Sequence, residues 1–197
     1  MTHPPIREGD FTFSDWIHLI LEHCSTHPHQ KVGVKLDFKD PPAVQPCLKE
    51  LAQLYSENRL YIPLWVNADI LNACQKKSAF NPDEFIQAIQ ATLPGVVPSL
   101  GWTTDADIPY TQEHISQMLE LCTKHELKNC TFPMRASLVR ASEGPLLHLL
   151  GADPSYSLTI WSGLEKFSKE DYDWIRYTFD ARRIYLDITL ITNERGQ

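Results

Sequence analysis

Residues suited to binding a metal ion or a phosphate lie along the first segment that alternates polar and apolar side chains. Lys35, Asp37 and Lys39 alternate there with apolar residues. This period of two predicts a strand over 32–39. The carboxylate of Asp37 supplies the oxygen that Mg²⁺ or Ca²⁺ prefers; the ammonium of Lys39 suits a phosphate, and Lys35 is a candidate ligand contact. The alternative for this carboxylate is a salt bridge with Lys35, Lys39 or Arg135.

Further candidates lie near the ends of later predicted strands. Asn67 and Asp69 close the second strand, where they either hydrogen-bond a ligand or cap the loop that follows. The guanidinium of Arg135 suits the recognition of phosphate or carboxylate, unless it balances the charge of an aspartate such as Asp187. Three tryptophans either form a wall on which a ligand stacks or pack in the core: Trp65, Trp102 and Trp161. Asp187, near the end of the last strand, completes the set of candidate ligand-binding residues.

Histidine and cysteine add little further chemistry. His3 is a candidate catalytic proton carrier, because an imidazole titrates near neutral pH. It stands two residues from the first residue of the sequence, and unless upstream sequence exists we expect it to be disordered. The other histidines and the five cysteines show no metal-ligand spacing, so we expect surface or structural histidines and buried thiols.

The composition is that of an ordinary soluble globular protein. The 197 residues are 43% hydrophobic and 22% charged, which predicts one domain over 1–190 and a loose tail, 191–197. A net charge of −7 without a basic run gives no electrostatic support for nucleic-acid binding. No apolar run approaches the ~20 residues of a transmembrane helix. The first residues, MTHPPIREGD, lack the apolar region of a signal peptide, so a chain that truly starts at Met1 is expected in the cytoplasm.

Strands and helices alternate along the sequence. Strands are predicted at 32–39, 61–70, 95–103, 130–138, 155–163 and 183–189, and helices begin near Ser14, Pro41, Asn81, Thr111, Pro145 and Ser168. This order is typical of a parallel sheet, either doubly wound or closed into a barrel. Polar residues gather toward the C-terminal half of each strand, where barrel enzymes keep their sites. We therefore predict an α/β fold, a (β/α) TIM-type barrel with about six of the usual eight strands.

A set of segments resembles the menorin family, a branch of the glycerophosphodiesterase-like, phospholipase-C-like barrels. In family order they are THPP, VKLDFKD, PLWVNADIL, PSLGWTT, FPMRASLVR, YSLTIWSG and YLDI. The resemblance implies that His3 matches a histidine that moves protons, Asp37 an acid that binds a divalent metal, and Lys39 a lysine of the site. It also implies two upstream strands with a further histidine and a Glu-x-Asp metal pair, which have no counterpart here. The sequence is therefore expected to be a fragment, an alternative start or an incomplete gene model.

From this resemblance we expect a non-catalytic protein, a pseudoenzyme with a binding or signalling role. The family is associated with extracellular cues for dendrite patterning and with the maintenance of sensory cells such as photoreceptors. This implies an extracellular location, with a cell-surface receptor or an anionic small molecule such as a phosphodiester as partner. The alternative is a metal-dependent phosphodiester hydrolase that uses Mg²⁺ or Ca²⁺ and is active only when the missing N-terminal strands are supplied.

Overall fold

A computed structural model describes residues 9–105 and 107–191 of the chain. These residues form two compact units. The first unit runs up to Ala68 and resumes over Ala79–Pro98, and the second comprises Asp69–Ser78 and the chain from Ser99 onward. His3 and most of the predicted tail, 192–197, lie outside the described residues.

The first unit contains a pair of parallel strands and three helices. Its elements are α1 (Phe13–Thr26), β1 (Val34–Phe38), α2 (Val44–Ser56), the part of β2 (Leu64–Asn72) up to Ala68, and α3 (Pro82–Thr92). β1 and β2 pair in parallel, with Val34 opposite Leu64. Burial alternates along β1, where Leu36 is buried between the exposed Lys35 and Asp37. This confirms the alternation that the sequence predicts for the first strand.

Side-chain caps determine where two helices of the first unit, α1 and α3, begin. The Thr12 hydroxyl accepts a hydrogen bond from the Asp15 backbone N–H at 3.1 Å, and the Asp15 carboxylate accepts one from the Thr12 N–H at 3.2 Å. This capping box makes Thr12 the N-cap of α1, so the predicted start at Ser14 is wrong by two residues. Asn81 caps α3 as predicted, because its side chain accepts hydrogen bonds from two backbone N–H groups of the first turn.

The second unit contains four parallel strands in chain order. Its elements are the end of β2, β3 (Val97–Thr103) from Ser99 onward, α4 (Gln112–Lys124), β4 (Thr131–Arg135), α5 (Ala136–Val139), α6 (Glu143–Ala152), β5 (Ser157–Phe167), α7 (Lys169–Thr178) and β6 (Ile184–Leu190). Thr131 of β4 lies opposite Ser99 of β3 and Ser157 of β5. Leu158 of β5 in turn lies opposite Ile184 of β6.

Two strand ends of the second unit differ from their predicted positions. β4 stops at Arg135 because Ala136 already begins a helix, so the predicted range of 130–138 is too long. β5 continues to Phe167 instead of ending at 163, and its pairing with β6 shifts register on the way. Gly163 has a φ of +55° in this shifted stretch, a left-handed conformation that glycine adopts without strain.

Aromatic side chains fill the core of the second unit. The ring centroids of Trp102 and Tyr110 are 5.5 Å apart, and that of Phe132 lies 6.3 Å from Trp102. Tyr156 packs edge-on against Phe132, with 5.2 Å between centroids. Trp102 is buried in this cluster, so it packs in the core and does not contribute to a wall on which a ligand could stack.

The described strands and helices define the fold class. Six strands alternate with helices, and every described strand pair is parallel. This is an α/β fold of the TIM-barrel type with six of the usual eight strands, which confirms the predicted class. Among the described residues, no helix is both long enough and apolar enough to cross a membrane.

A single arginine joins the start of β6 to the segment between α6 and β5. The Nε atom of Arg183 donates a hydrogen bond to the Tyr156 carbonyl at 2.6 Å. Its Nη2 atom donates to the carbonyls of Leu150 and Asp153, each at 2.7 Å. These carbonyls lie at the end of a helix and before a strand, where regular backbone pairing ends. Arg183 therefore supplies charged donors to all three, in addition to the Tyr156 N–H that the Asp153 carbonyl also accepts at 3.2 Å.

We expect Arg183→Met to lower the free energy of unfolding by about 2–4 kcal/mol, because three carbonyls lose charged donors. Arg182→Met is the matched control, since the Arg182 side chain is 88% exposed and pairs with Asp180 on the surface. Its loss should be within about 1 kcal/mol. Urea unfolding followed by circular dichroism measures both values, and equal losses for the two variants would contradict the role assigned to Arg183.

Candidate functional site

The first unit brings three of the predicted site residues into contact, and we call Asp37, Lys39 and Asn67 the Asp37 cluster. The parallel register places Asp37 of β1 opposite Asn67 of β2. The Asn67 amide donates a hydrogen bond to Asp37 Oδ1 at 2.6 Å, and Lys39 Nζ lies 3.0 Å from Asp37 Oδ2. Asn67 is buried, whereas the Asp37 side chain is 44% exposed. Both carboxylate oxygens therefore have protein partners, and the salt-bridge partner is Lys39.

The Asp37 cluster does not have the donors of a magnesium or calcium site. Ca²⁺ takes about six to eight oxygen ligands, and Mg²⁺ is usually held by one or two carboxylates together with waters or phosphate oxygens. The cluster offers one carboxylate, and an ammonium group already lies 3.0 Å from one of its oxygens. In residues 9–105 and 107–191, three or more His, Cys, Asp or Glu side chains never come together in a group that could hold a metal. The described residues thus do not fit a divalent cation on their own.

Lys35 lies on the same exposed face of β1 as Asp37, opposite Trp65 in the register of the two strands. The Trp65 ring covers Gly33, where an added Cβ atom would come within 2.6 Å of the indole. Glycine at this position thus lets the indole approach the backbone closely. The predicted roles of Lys35 and Asn67 in binding a ligand stay predictions.

The second unit brings two predicted residues, Arg135 and Trp161, together with Glu165 and Ser137, and we call these four the Arg135 cluster. The register places Arg135 at the end of β4 opposite Trp161 of β5, and Trp161 opposite Asp187 of β6. The Arg135 guanidinium lies over the Trp161 ring, 5.8 Å from its centroid. A guanidinium at this distance from an indole is stabilised by the negative face of the ring.

Glu165 is the partner of Arg135, and the sequence reasoning did not identify it. Arg135 Nη2 donates a hydrogen bond to Glu165 Oε1, and the Ser137 side chain lies near this carboxylate. The hydrogen bond from Arg135 lowers the pKa of Glu165 below that of an ordinary glutamate, and the nearby Ser137 side chain acts in the same direction. Glu165 therefore carries its negative charge at neutral pH, beside the cation of Arg135.

Tyr110 holds the backbone of Arg135 in place through its side-chain hydroxyl. Its hydroxyl accepts a hydrogen bond from the Arg135 backbone N–H at 3.1 Å. The Tyr110 backbone is itself held by the Ser142 hydroxyl, which accepts its N–H at 2.9 Å. Burial raises the pKa of the Tyr110 phenol far above its usual value, and the negative charge of Asp69 acts in the same direction. Tyr110 is thus a neutral hydroxyl that positions Arg135.

The structure therefore groups most of the predicted site residues, and it adds three that were missed. Asp37, Lys39 and Asn67 are in contact, and Arg135 contacts Trp161. His3 lies outside the described residues. The missed residues are Tyr110, Ser137 and Glu165. A glycine inside a predicted strand, as in WSGLEKF, is a recognised sign of a bulge and could have extended β5 as far as Glu165.

Parallel strands alternating with helices, with polar side chains at the C-terminal ends of the strands, define a protein of the α/β-barrel class. A family model described as the Menorin N-terminal domain matches residues 1–191. The human protein FAM151B is 35% identical over 196 residues, which cover 95% of this chain and 67% of that protein. The chain belongs to the menorin family.

We expect Tyr110→Phe to lower the free energy of unfolding by about 1–3 kcal/mol, since the Arg135 N–H loses its acceptor. Tyr177→Phe is the control, because the Tyr177 side chain is 92% exposed and its change should stay within about 0.5 kcal/mol. Urea unfolding measures stability, and hydrogen exchange of the Arg135 amide reports on the bond itself. An unchanged exchange rate in Tyr110→Phe would show that this hydrogen bond does not hold Arg135.

Proposed function

We propose that this menorin-family chain is a non-catalytic binding module that captures an anionic ligand such as a phosphodiester. The observation that carries the proposal is the pairing of Asp37. Its two oxygens are taken by Lys39 and Asn67, so the carboxylate that the family resemblance matches to a metal ligand is already neutralised. A hydrolase of this type would need that carboxylate for a cation that polarises the phosphoryl group.

The Arg135 cluster is the part of the chain best suited to hold an anion. A guanidinium is always protonated and matches the geometry of phosphate and carboxylate oxygens. Arg135 already holds one carboxylate, that of Glu165, which demonstrates the chemistry within the chain. The Trp161 ring beneath the guanidinium offers an apolar surface for the rest of a ligand, and Asp187 lies next to it in register. Lys35 and Asn67 of the first unit and Asp69 of the second stay separate proposals for polar contacts with a ligand, each within its own unit.

The family resemblance supplies the proposed biological setting. A menorin-like binding module would act outside the cell in the patterning of neurons or the maintenance of sensory cells. Its partner there would be a cell-surface receptor or the anionic molecule itself. This part of the proposal rests on family membership, which the matches over nearly the whole chain establish.

Metal-dependent phosphodiester hydrolysis is the second candidate. The observation that favours it is the contact of Asp37 with Lys39, at the two positions that match an acid and a lysine of the wider superfamily. In that case Asp37 would help to hold Mg²⁺ or Ca²⁺ in a complete homologue, and Lys39 would contact the phosphate. The two candidates therefore differ in whether a phosphodiester is cleaved.

The test combines a binding and a hydrolysis measurement on the same chain. We expect saturable binding of glycerophosphocholine in isothermal titration, weakened about tenfold or more by Arg135→Gln because a charged hydrogen-bond donor is lost. Arg182→Gln, on the exposed surface, should leave binding unchanged. We expect no hydrolysis of this phosphodiester with Mg²⁺ or Ca²⁺ in excess. Metal-dependent turnover that disappears in Asp37→Asn would establish the hydrolase instead.

A further inference from the structure

Glu165 lies on an irregular stretch of β5. The pairing of β5 with β6 shifts between Trp161 and Lys166, and Gly163 in this stretch has a left-handed φ of +55°. Leu164 is fully exposed, so apolar packing does not fix the chain at this residue. The shifted stretch places the Glu165 carboxylate against Arg135 while leaving 41% of the Glu165 side chain exposed.

The donors that hold Glu165 are those that would hold a phosphoryl oxyanion. The guanidinium of Arg135 donates a hydrogen bond to the Glu165 carboxylate, and the Ser137 hydroxyl lies near the same carboxylate. Such charged and neutral donors recognise phosphate and carboxylate oxygens alike. Glu165 thus stands where an anionic ligand of Arg135 would be placed.

Arg135 has a second hydrogen-bond donor that an oxyanion could use. Its Nε atom is buried and has no hydrogen-bond partner in the part of the chain that the structure describes. An unpaired buried donor is costly, and a partner that reached it would be bound more tightly. A phosphodiester has two non-bridging oxygens, which can use the Nη2 and Nε donors together, and a phosphomonoester or inorganic phosphate has a further oxygen that can reach the hydroxyl of Ser137.

We propose that Glu165 is an internal competitor, which occupies the oxyanion site of Arg135 and Ser137 and must move aside before a phosphoryl group binds. This inference rests on the proposed function, because it assumes that Arg135 takes an anionic ligand. Because the Glu165 carboxylate is part of the same chain as Arg135, its effective concentration at the site is high. It therefore excludes anions that bind weakly and admits those that bind strongly. The lowered pKa of Glu165 agrees with this, since the competitor stays charged at neutral pH. Glu165 thereby sets which anions are bound.

The test is the titration of inorganic phosphate into the full chain and into its Glu165→Gln variant. We expect the variant to bind phosphate about tenfold or more tightly, because the charged competitor is removed. Glu165→Ala should act in the same direction, since it removes every hydrogen bond to Arg135 from this side chain. Glu170→Gln is the matched control: it makes the same change in net charge, and Glu170 is 87% exposed, 3.9 Å from Arg140. Its phosphate affinity should equal that of the unchanged chain.

The Nε–H resonance of Arg135, followed by nuclear magnetic resonance, shows whether phosphate reaches this guanidinium. A shift of that signal during the titration, larger in Glu165→Gln, supports the proposal. Equal phosphate affinity in the unchanged chain and in both Glu165 variants overturns it, while leaving the proposed anion binding intact. No phosphate binding in any of them also overturns the competition, and the glycerophosphocholine titration then decides the proposed anion binding separately. The comparison is then repeated with vesicles that contain phosphatidic acid, whose phosphoryl group belongs to a lipid. Tighter binding of the Glu165 variants to inorganic phosphate or to these vesicles supports the proposal that Glu165 competes with the phosphoryl group.

Discussion

Parallel pairing of neighbouring strands in register determines where the polar side chains of this protein meet. Strands that run in the same direction end at the same edge of the sheet, and paired strands lie only about 4.8 Å apart. In the first unit this places Asp37 opposite Asn67. In the second unit it places Arg135, Trp161 and Asp187 at one level of three strands. Alternate residues such as Leu36 are buried, so the polar residues between them must lie on the other face.

The charges gathered in this way carry their own counter-charges. Asp37 is paired with Lys39, and Arg135 with Glu165. A half-buried charge without a partner would be costly, and local pairing removes that cost. The affinity of a ligand that replaces one of these partners is therefore the difference between the two interactions. A site of this kind selects for ligands that make more hydrogen bonds than the side chain they displace.

The sequence predicts well which segments form strands and helices and which side of a strand is buried, because both follow from local rules. The alternation around Lys35 and the cap at Asn81 are properties of a few neighbouring residues, and both are observed. The partner of Arg135 could not be deduced in the same way. Glu165 reaches it only because β5 shifts register near Gly163, and the path of the chain through an irregular strand depends on packing beyond the local pattern.

The two clusters differ in the kind of ion that they could accept. In the Asp37 cluster one carboxylate and one ammonium cancel, so a cation would meet Lys39 and an anion would meet Asp37. In the Arg135 cluster the cation is a guanidinium, which cannot lose its proton, and it rests on the face of Trp161. Its counter-charge lies on a stretch that is partly exposed and irregularly paired. Displacing that counter-charge leaves a permanent cation, whereas opening the Asp37 pair leaves two opposite charges in one place. This difference is the reason why we propose the Arg135 cluster, and not the Asp37 cluster, for the recognition of an anion.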